Sequence, residues 1–232
     1  MEAQRINKYL SAIGFCSRRE ADRLIESGKV LVDGKIAECG MKVTGNEDII
    51  VNGKRPAVED EKIILALNKP VGIVCTSFKG DKDNVIDFIN YPKRIYPIGR
   101  LDKNSEGLLL LTNQGDLVNR IMKASTYHEK EYQVTVDKPI TPEFIQKMSQ
   151  GVKLDELDVI TRKCKVKRTG MYSFDIVLTQ GLNRQIRRMC EALGYRVRKL
   201  KRVRIMNVLL GDLPVGKYRK LTEKEIKELY NV

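Results

Sequence analysis

Five runs rich in β-forming residues lie between residues 63 and 179, with helical patterns between or after them at uneven intervals. They are IILAL (Ile63–Leu67), GIVCT (Gly72–Thr76), GLLLLT (Gly107–Thr112), YQVTV (Tyr132–Val136) and SFDIVLT (Ser173–Thr179). A wholly parallel sheet needs a crossover of a dozen or more residues after each strand, and this spacing does not supply one regularly. The pattern therefore predicts an α+β fold on a mixed, largely antiparallel sheet. The helices announce their own ends. Thr141-Pro142-Glu143 is a cap followed by proline at the first helical position, NRQIRRMCEALG stops at Gly194, and Thr222 with Glu225 opens a final capped helix. With 232 residues, 42% of them hydrophobic, the chain can bury one sizeable core and still carry a small accessory domain.

That accessory domain is expected at residues 1–55. Ile6, Leu10 and Ile13 mark one apolar helical face, with Gly14 as its stop. Ser17 opens a second helix, with Glu20 placed to complete a capping box, Ala21, Leu24 and Ile25 as its buried stripe, and Gly28 at its end. Asp33-Gly34 and Asn52-Gly53, each beside alternating apolar residues, predict tight hairpins. The charged stretch at residues 56–62, with Pro56, reads as a linker, which leaves residues 63–232 as the main domain.

Charge and rare residues narrow the function. The net charge is +13, and from Arg162 to Arg204 there are 14 basic residues against two acidic ones, Asp175 and Glu191. A solvated face mixes its signs, so this segment calls for a polyanion. The basic residues fall on several elements rather than on one amphipathic helix, which favours nucleic acid over a membrane surface. The apolar runs are far too short to span a bilayer and the first residues lack a leader-like apolar stretch, so a cytoplasmic protein is expected. Five widely spaced cysteines without a CxxC pair disfavour a zinc site or a disulfide framework. The single histidine, His128, reads as a partly exposed surface residue. The alternating RVRKLKRVR (Arg196–Arg204) reads as an exposed strand bearing positive charge.

One segment points to chemistry. In YPIGRLDKNSEGLLLLTNQGD (Tyr96–Asp116), a polar loop with Arg100, Asp102, Ser105 and Glu106 is wedged between a short apolar strand and a buried one. Polar side chains are thereby set beside the core, where an ionised aspartate is expensive unless paired. Taken alone, this is equally a pinned turn or a site.

GRLDKNSEGLLLLTNQGD resembles the signature loop of the pseudouridine synthases, in the branch of the RsuA and RluF type. LNKPVG (Leu67–Gly72), EKEYQVTV (Glu129–Val136) and GLNRQIRRMCEALGYRVRKLKRVRIMNV (Gly181–Val208) match the same family in order. RINKYLSAIGFCSRREADRLIESGKVLVDGKIA, near the N-terminus, is similar to the S4 RNA-binding domain. The last third is most similar to RluF-type enzymes of large-subunit ribosomal RNA. The resemblance implies isomerisation of uridine to pseudouridine with Asp102 as the catalytic carboxylate, acting as nucleophile or as base. It implies that Tyr132 packs on the target base and that Arg187 pairs with Asp102, with Arg184 as the fallback. It further implies phosphate contacts from Arg5, Lys8, Arg18, Arg19 and Arg23 of the S4-like unit, and RNA contacts from Arg100, Arg184 and Arg188. Lys69 falls near the site without an assigned task. The reaction transfers neither electrons nor phosphoryl groups, so no cofactor or metal is expected, and the expected partner is structured RNA, ribosomal above all, with no protein partner. The rival readings are a non-catalytic S4-type RNA-binding protein, and the same chemistry on small-subunit ribosomal RNA or transfer RNA. A deaminase lacks its zinc ligands, and a metal-dependent nuclease lacks clustered carboxylates.

Overall fold

The computed structural model describes residues 2–58, 61–76, 80–122 and 127–231. The chain packs as two compact units. The first comprises Met1–Ile63 with Tyr91–Ile95 and Asn113–Gly115, and the second comprises Ile64–Asn90, Tyr96–Thr112 and Asp116–Val232.

In the first unit, β1 (Gln4–Arg5) leads into α1 (Ile6–Ala12), and α2 (Arg18–Glu26) follows. The Ser17 hydroxyl accepts from the Glu20 amide, as expected of a cap. The Glu20 carboxylate turns to Arg23 instead, at 3.3 Å, so the expected capping box is only half formed. β2 (Val30–Val32) pairs with β3 (Lys35–Ile36) across Asp33-Gly34, whose φ values of 50° and 77° are the left-handed pair that a two-residue hairpin needs. β4 (Lys42–Val43) pairs with β1, and β5 (Ile49–Val51) pairs with β2. Asn52-Gly53 also turns with positive φ, but the pairing beyond it is a single bridge from Val51 to Lys54 rather than a second strand. Ile6, Leu10, Ala21, Ile25, Val30 and Val51 form a small closed core.

The second unit opens with β6 (Ile64–Lys69), α3 (Val85–Ile89), β7 (Tyr96–Ile98), β8 (Glu106–Thr112), α4 (Gly115–Met122) and β9 (Lys130–Val136). It continues through α5 (Pro142–Gln150), the short pair β10 (Lys153–Leu154) and β11 (Val159–Ile160), β12 (Lys165–Arg168) and β13 (Ser173–Leu178). It closes with α6 (Gln185–Ala192), β14 (Val197–Ile205), β15 (Val208–Leu209), β16 (Tyr218–Lys220) and α7 (Glu223–Tyr230). The main sheet runs β12-β13-β9-β14-β8-β6-β16, with β7 beside β8 and β15 beside β14. Within it β14 and β8 pair in parallel and the other named strand pairs are antiparallel, in agreement with the expected α+β class. Thr141 caps α5, and Thr222 with Glu225 forms a complete capping box on α7.

Three expectations need correction. GIVCT is not a strand: it contributes one bridge, Val74 to Asn84, because the Pro70 turn carries the chain off the sheet. The basic alternation at Arg196–Arg204 is an exposed strand only in its first half, where Arg196, Arg198 and Lys199 are exposed. β14 lies in the sheet interior between β9 and β8, and Arg202 is only 3% exposed. His128 is likewise buried, at 6% exposure, and burial lowers its pKa.

Candidate active site

The polar loop that joins β7 to β8 is held from several sides. The Arg202 guanidinium donates from Nε to the Leu108 carbonyl at 2.7 Å and from Nη1 to the Arg100 carbonyl at 3.3 Å. Arg187 donates from Nη2 to the Asn104 carbonyl at 2.7 Å and to the Ser105 hydroxyl at 3.2 Å. The Gly72 amide of the LNKPVG turn donates to the Lys103 carbonyl at 2.8 Å, and the Leu101 amide donates to the Cys75 thiol at 3.3 Å. Within the loop, the Ser105 amide donates to the Asp102 carbonyl. Three segments distant in sequence thus fix the backbone on which Asp102 is carried.

Lys69 has a legible job. Its ammonium is fully buried and donates to the Pro70 and Ile73 carbonyls, each at 2.8 Å, which closes the turn that supports the loop. Burial lowers its pKa, with Cys75 and Asp102 opposing.

The loop opens onto a cleft of about 400 Å³ lined by Arg100, Asp102, Lys130, Tyr132, Arg184 and Arg202, with Leu178 and Leu200 among its apolar lining. Asp102 keeps 32% of its side chain exposed, and the Arg187 Nε lies 3.9 Å from its Oδ2. That distance is an ion pair rather than a hydrogen bond. Arg187 is not among the lining residues. It is buried, which lowers its pKa, with Arg184 adding to that and Asp102 working against it. Asp102 and Tyr132 therefore share one cleft, and Arg187 stands next to the carboxylate while it also anchors the loop.

Tyr132 is half-buried on β9, packed against the apolar cluster of β9, β13, α5 and α6. Arg184 is not helical: it is the residue before α6, in the left-handed region at φ 51°. Its side chain is exposed at the cleft. A non-glycine residue with positive φ is strained and marks a position of interest. Arg188 is engaged with Glu156 at 3.1 Å, its side chain 21% exposed. Arg100 is exposed on the cleft, while Arg5, Arg18, Arg19 and Arg23 are exposed in the first unit and Lys8 is half-buried there.

Sequence reasoning missed Lys130 and Arg202. Lys130 stands two residues before Tyr132, and the period of a strand puts the two on one face, so a signal was present. For Arg202 the signal was obscured. Between Arg202 and Arg204 β14 advances two residues while β9 advances one, from Tyr132 to Glu131, so Val203 is the extra residue of a bulge. The bulge parts two arginines that would otherwise share a face. Arg202 lines the cleft, and Arg204 pairs with Glu131 at 2.8 Å and Glu129 at 3.0 Å.

The family model for RNA pseudouridylate synthase matches residues 63–192, and that for the S4 domain matches residues 4–49. The chain belongs to the RNA pseudouridylate synthase family. It is 55% identical to the dual-specificity RNA pseudouridine synthase RluF of Salmonella typhi over 98% of this chain and 79% of that one. It is 40% identical to the ribosomal large subunit pseudouridine synthase B of Bacillus subtilis (strain 168) over 97% of this chain and 95% of the relative. A solved pseudouridylate synthase superposes with a TM-score of 0.72 at 28% identity, covering 97% of this chain and 99% of that one. The protein is accordingly an isomerase that binds RNA and converts uridine to pseudouridine. Among the described residues no group of three or more His, Cys, Asp or Glu is arranged to hold a metal ion, and no helix is long and apolar enough to cross a membrane.

Proposed function

We propose that the cleft around Asp102 is the active site and that large-subunit (23S) ribosomal RNA is its substrate, modified in the cytoplasm. The observation that carries the first part is the placement of a solvent-accessible carboxylate, on a loop pinned by buried arginines, in the same cleft as Tyr132. A uridine must leave its stack to reach such a site, and an aromatic face offsets part of that cost. With the base against Tyr132, Asp102 acts at the ribose as nucleophile or base while the uracil leaves C1′, turns and rejoins through C5. Arg187 holds the loop that carries Asp102 and sets its guanidinium beside the carboxylate. Arg100 and Arg184, exposed at the cleft, serve the flanking phosphates. We assign residues 1–55 to phosphate contacts that place the RNA, residues 56–62 to a linker, and residues 63–232 to catalysis. The large-subunit assignment is supported by the likeness to the ribosomal large subunit pseudouridine synthase B of Bacillus subtilis.

Asp102→Asn keeps shape and removes the reactive carboxylate. It is expected to lower the single-turnover rate by at least about 10³-fold with RNA affinity within twofold. A rate near wild type would remove Asp102 from the chemistry. Mapping pseudouridine across all RNA from cells with and without the protein tests the substrate: loss of a site in transfer RNA or small-subunit RNA, with the large subunit unchanged, would overturn the assignment.

A further inference from the structure

The floor of the cleft holds two cations that the reading above does not use. Lys130 is 9% exposed, and its ammonium makes a long bond, 3.4 Å to the His128 carbonyl. Arg202 is 3% exposed, and its Nη2 is buried with no hydrogen-bond partner among the described residues. The two side chains share a sheet face with Tyr132. Lys130 lies two residues from it along β9, and Arg202 is its cross-strand neighbour on β14. Two cations with a structural task, the buried Lys69 and the half-buried Arg204, look different. Lys69 has two carbonyls at 2.8 Å, and Arg204 has two carboxylates within 3.0 Å. A desolvated ammonium left almost unpaired costs folding free energy, and among the described residues no carboxylate contact offsets it. Burial and the neighbouring Arg202 both lower the Lys130 pKa, which is the electrostatic signature of that cost.

The reaction supplies a use for such a pair. When the C1′–N1 bond breaks heterolytically, its electron pair leaves with the uracil and spreads over N1, O2 and O4. The ring turns, that pair forms the C1′–C5 bond, the C5 proton departs and N1 takes up a proton. Atoms and electrons balance without any co-reactant. The uracil is neutral before bond breaking and anionic only between the two bonds. A fixed positive charge beside it therefore binds the intermediate far better than the substrate, which is the condition for acceleration. Phosphates are always charged and are met by the exposed Arg100 and Arg184 at the cleft, where solvation of the arginines is retained.

We propose that Lys130, with the unpartnered Nη2 of Arg202, forms a buried cationic floor that stabilises the detached uracil anion during isomerisation. This rests on the assignment of the Asp102 cleft as the active site. Arg202 also holds the Arg100 carbonyl, so its loss would disturb the loop, and Lys130 is the cleaner probe.

The test compares the full-length wild type with K130M, K130R and D102N. RNA isolated from cells lacking the protein is the substrate, with single-turnover rates at saturating enzyme, RNA affinity and thermal unfolding as readouts. Expected for K130M is a rate about 10²-fold lower, affinity within twofold, and a melting temperature equal to or above wild type, since an unpaired buried charge is gone. K130R is expected to regain at least about tenfold of that loss by restoring charge. A K130M rate within threefold of wild type, with D102N inactive, would remove the floor and leave the cleft assignment standing. A K130M loss that follows RNA affinity or melting temperature would overturn the proposal in favour of a phosphate or structural role. An active D102N would instead refute the cleft assignment beneath it.

Discussion

The cations of the N-terminal unit and those around the cleft are the same chemical groups in opposite settings. Arg5, Arg18, Arg19 and Arg23 are exposed, and where one of them has a partner, as Arg23 has Glu20 at 3.3 Å, both side chains remain largely in water. Such a pair contributes less than about 1 kcal/mol. Lys69, Lys130, Arg187 and Arg202 are no more than 9% exposed; backbone carbonyls hold Lys69, Arg187 and Arg202, whereas Lys130 has one long bond of 3.4 Å. Exposed charges meet a polyanion through a screened field, so position matters little and salt matters much. Buried charges are screened far less, and each acts at one place in one geometry.

The largest expected effect lies on the buried side. Arg187→Met should lower the single-turnover rate about 10²-fold or more, because it removes both the charge beside Asp102 and the anchor of the Asn104–Ser105 backbone. Its RNA affinity should stay within twofold from low to high salt. Arg184→Met should show the reverse, a salt-sensitive loss of affinity with the saturated rate preserved. Exchange of these two outcomes would mean that Arg184, not Arg187, supports the carboxylate.

Next in size is a change to backbone alone. Gly107 has φ 103° where β8 meets β14, and a Cβ there would run into the Arg202 carbonyl. Gly107→Ala should destabilise the protein by about 3 kcal/mol, measured by urea unfolding, and should slow catalysis because Arg202 is displaced. An unchanged midpoint would show that the parallel contact tolerates a methyl group and that the buried guanidinium is not held as tightly as described.

On the exposed side the effects should be smaller and graded. Arg18→Gln with Arg19→Gln should weaken RNA binding about tenfold and reduce the salt slope by about 1.5, with the saturated rate unchanged. A slowed chemical step in that double variant would break the division between the two regions.

The smallest effect concerns Glu47, whose carboxylate accepts from the Thr44 and Gly45 amides and the Thr44 hydroxyl. The Thr44 backbone bond foremost lowers its pKa to about 2 from the usual 4.5. A depressed carboxylate contributes stability above its unfolded value that is lost as pH falls through the folded one. Protection of the Thr44 and Gly45 amides from hydrogen exchange should therefore decline between pH 4.5 and about 2. Glu47→Gln should remove that dependence, and a dependence that persists in it would assign the titration elsewhere.

Local chemistry was readable from the residues themselves. Ser17, Thr141 and Thr222 cap helices because a cap involves neighbours three positions away, and Asp33-Gly34 turns because its left-handed pair is set within four residues. The family resemblance implied that Arg187 pairs with Asp102, and its Nε lies 3.9 Å from that carboxylate, in whose cleft Tyr132 also stands. The capping box of Ser17 shows the limit at short range, since Arg23 competes for the same carboxylate. Burial of charge was not readable. RVRKLKRVR has the alternation of a solvated strand, but strands that flank it on both sides decide its exposure, and those come from residues 106–112 and 130–136. One extra residue, Val203, then sends Arg202 into the cleft and Arg204 to the carboxylates, a choice set by cross-strand register and not by any property of the arginines. The burial of His128 and of Lys130 was hidden for the same reason: desolvation is a property of everything packed around a group. The chain's own pattern determines its turns, caps and chemistry-bearing residue types, whereas the neighbours brought by long-range pairing decide which charges lose their water.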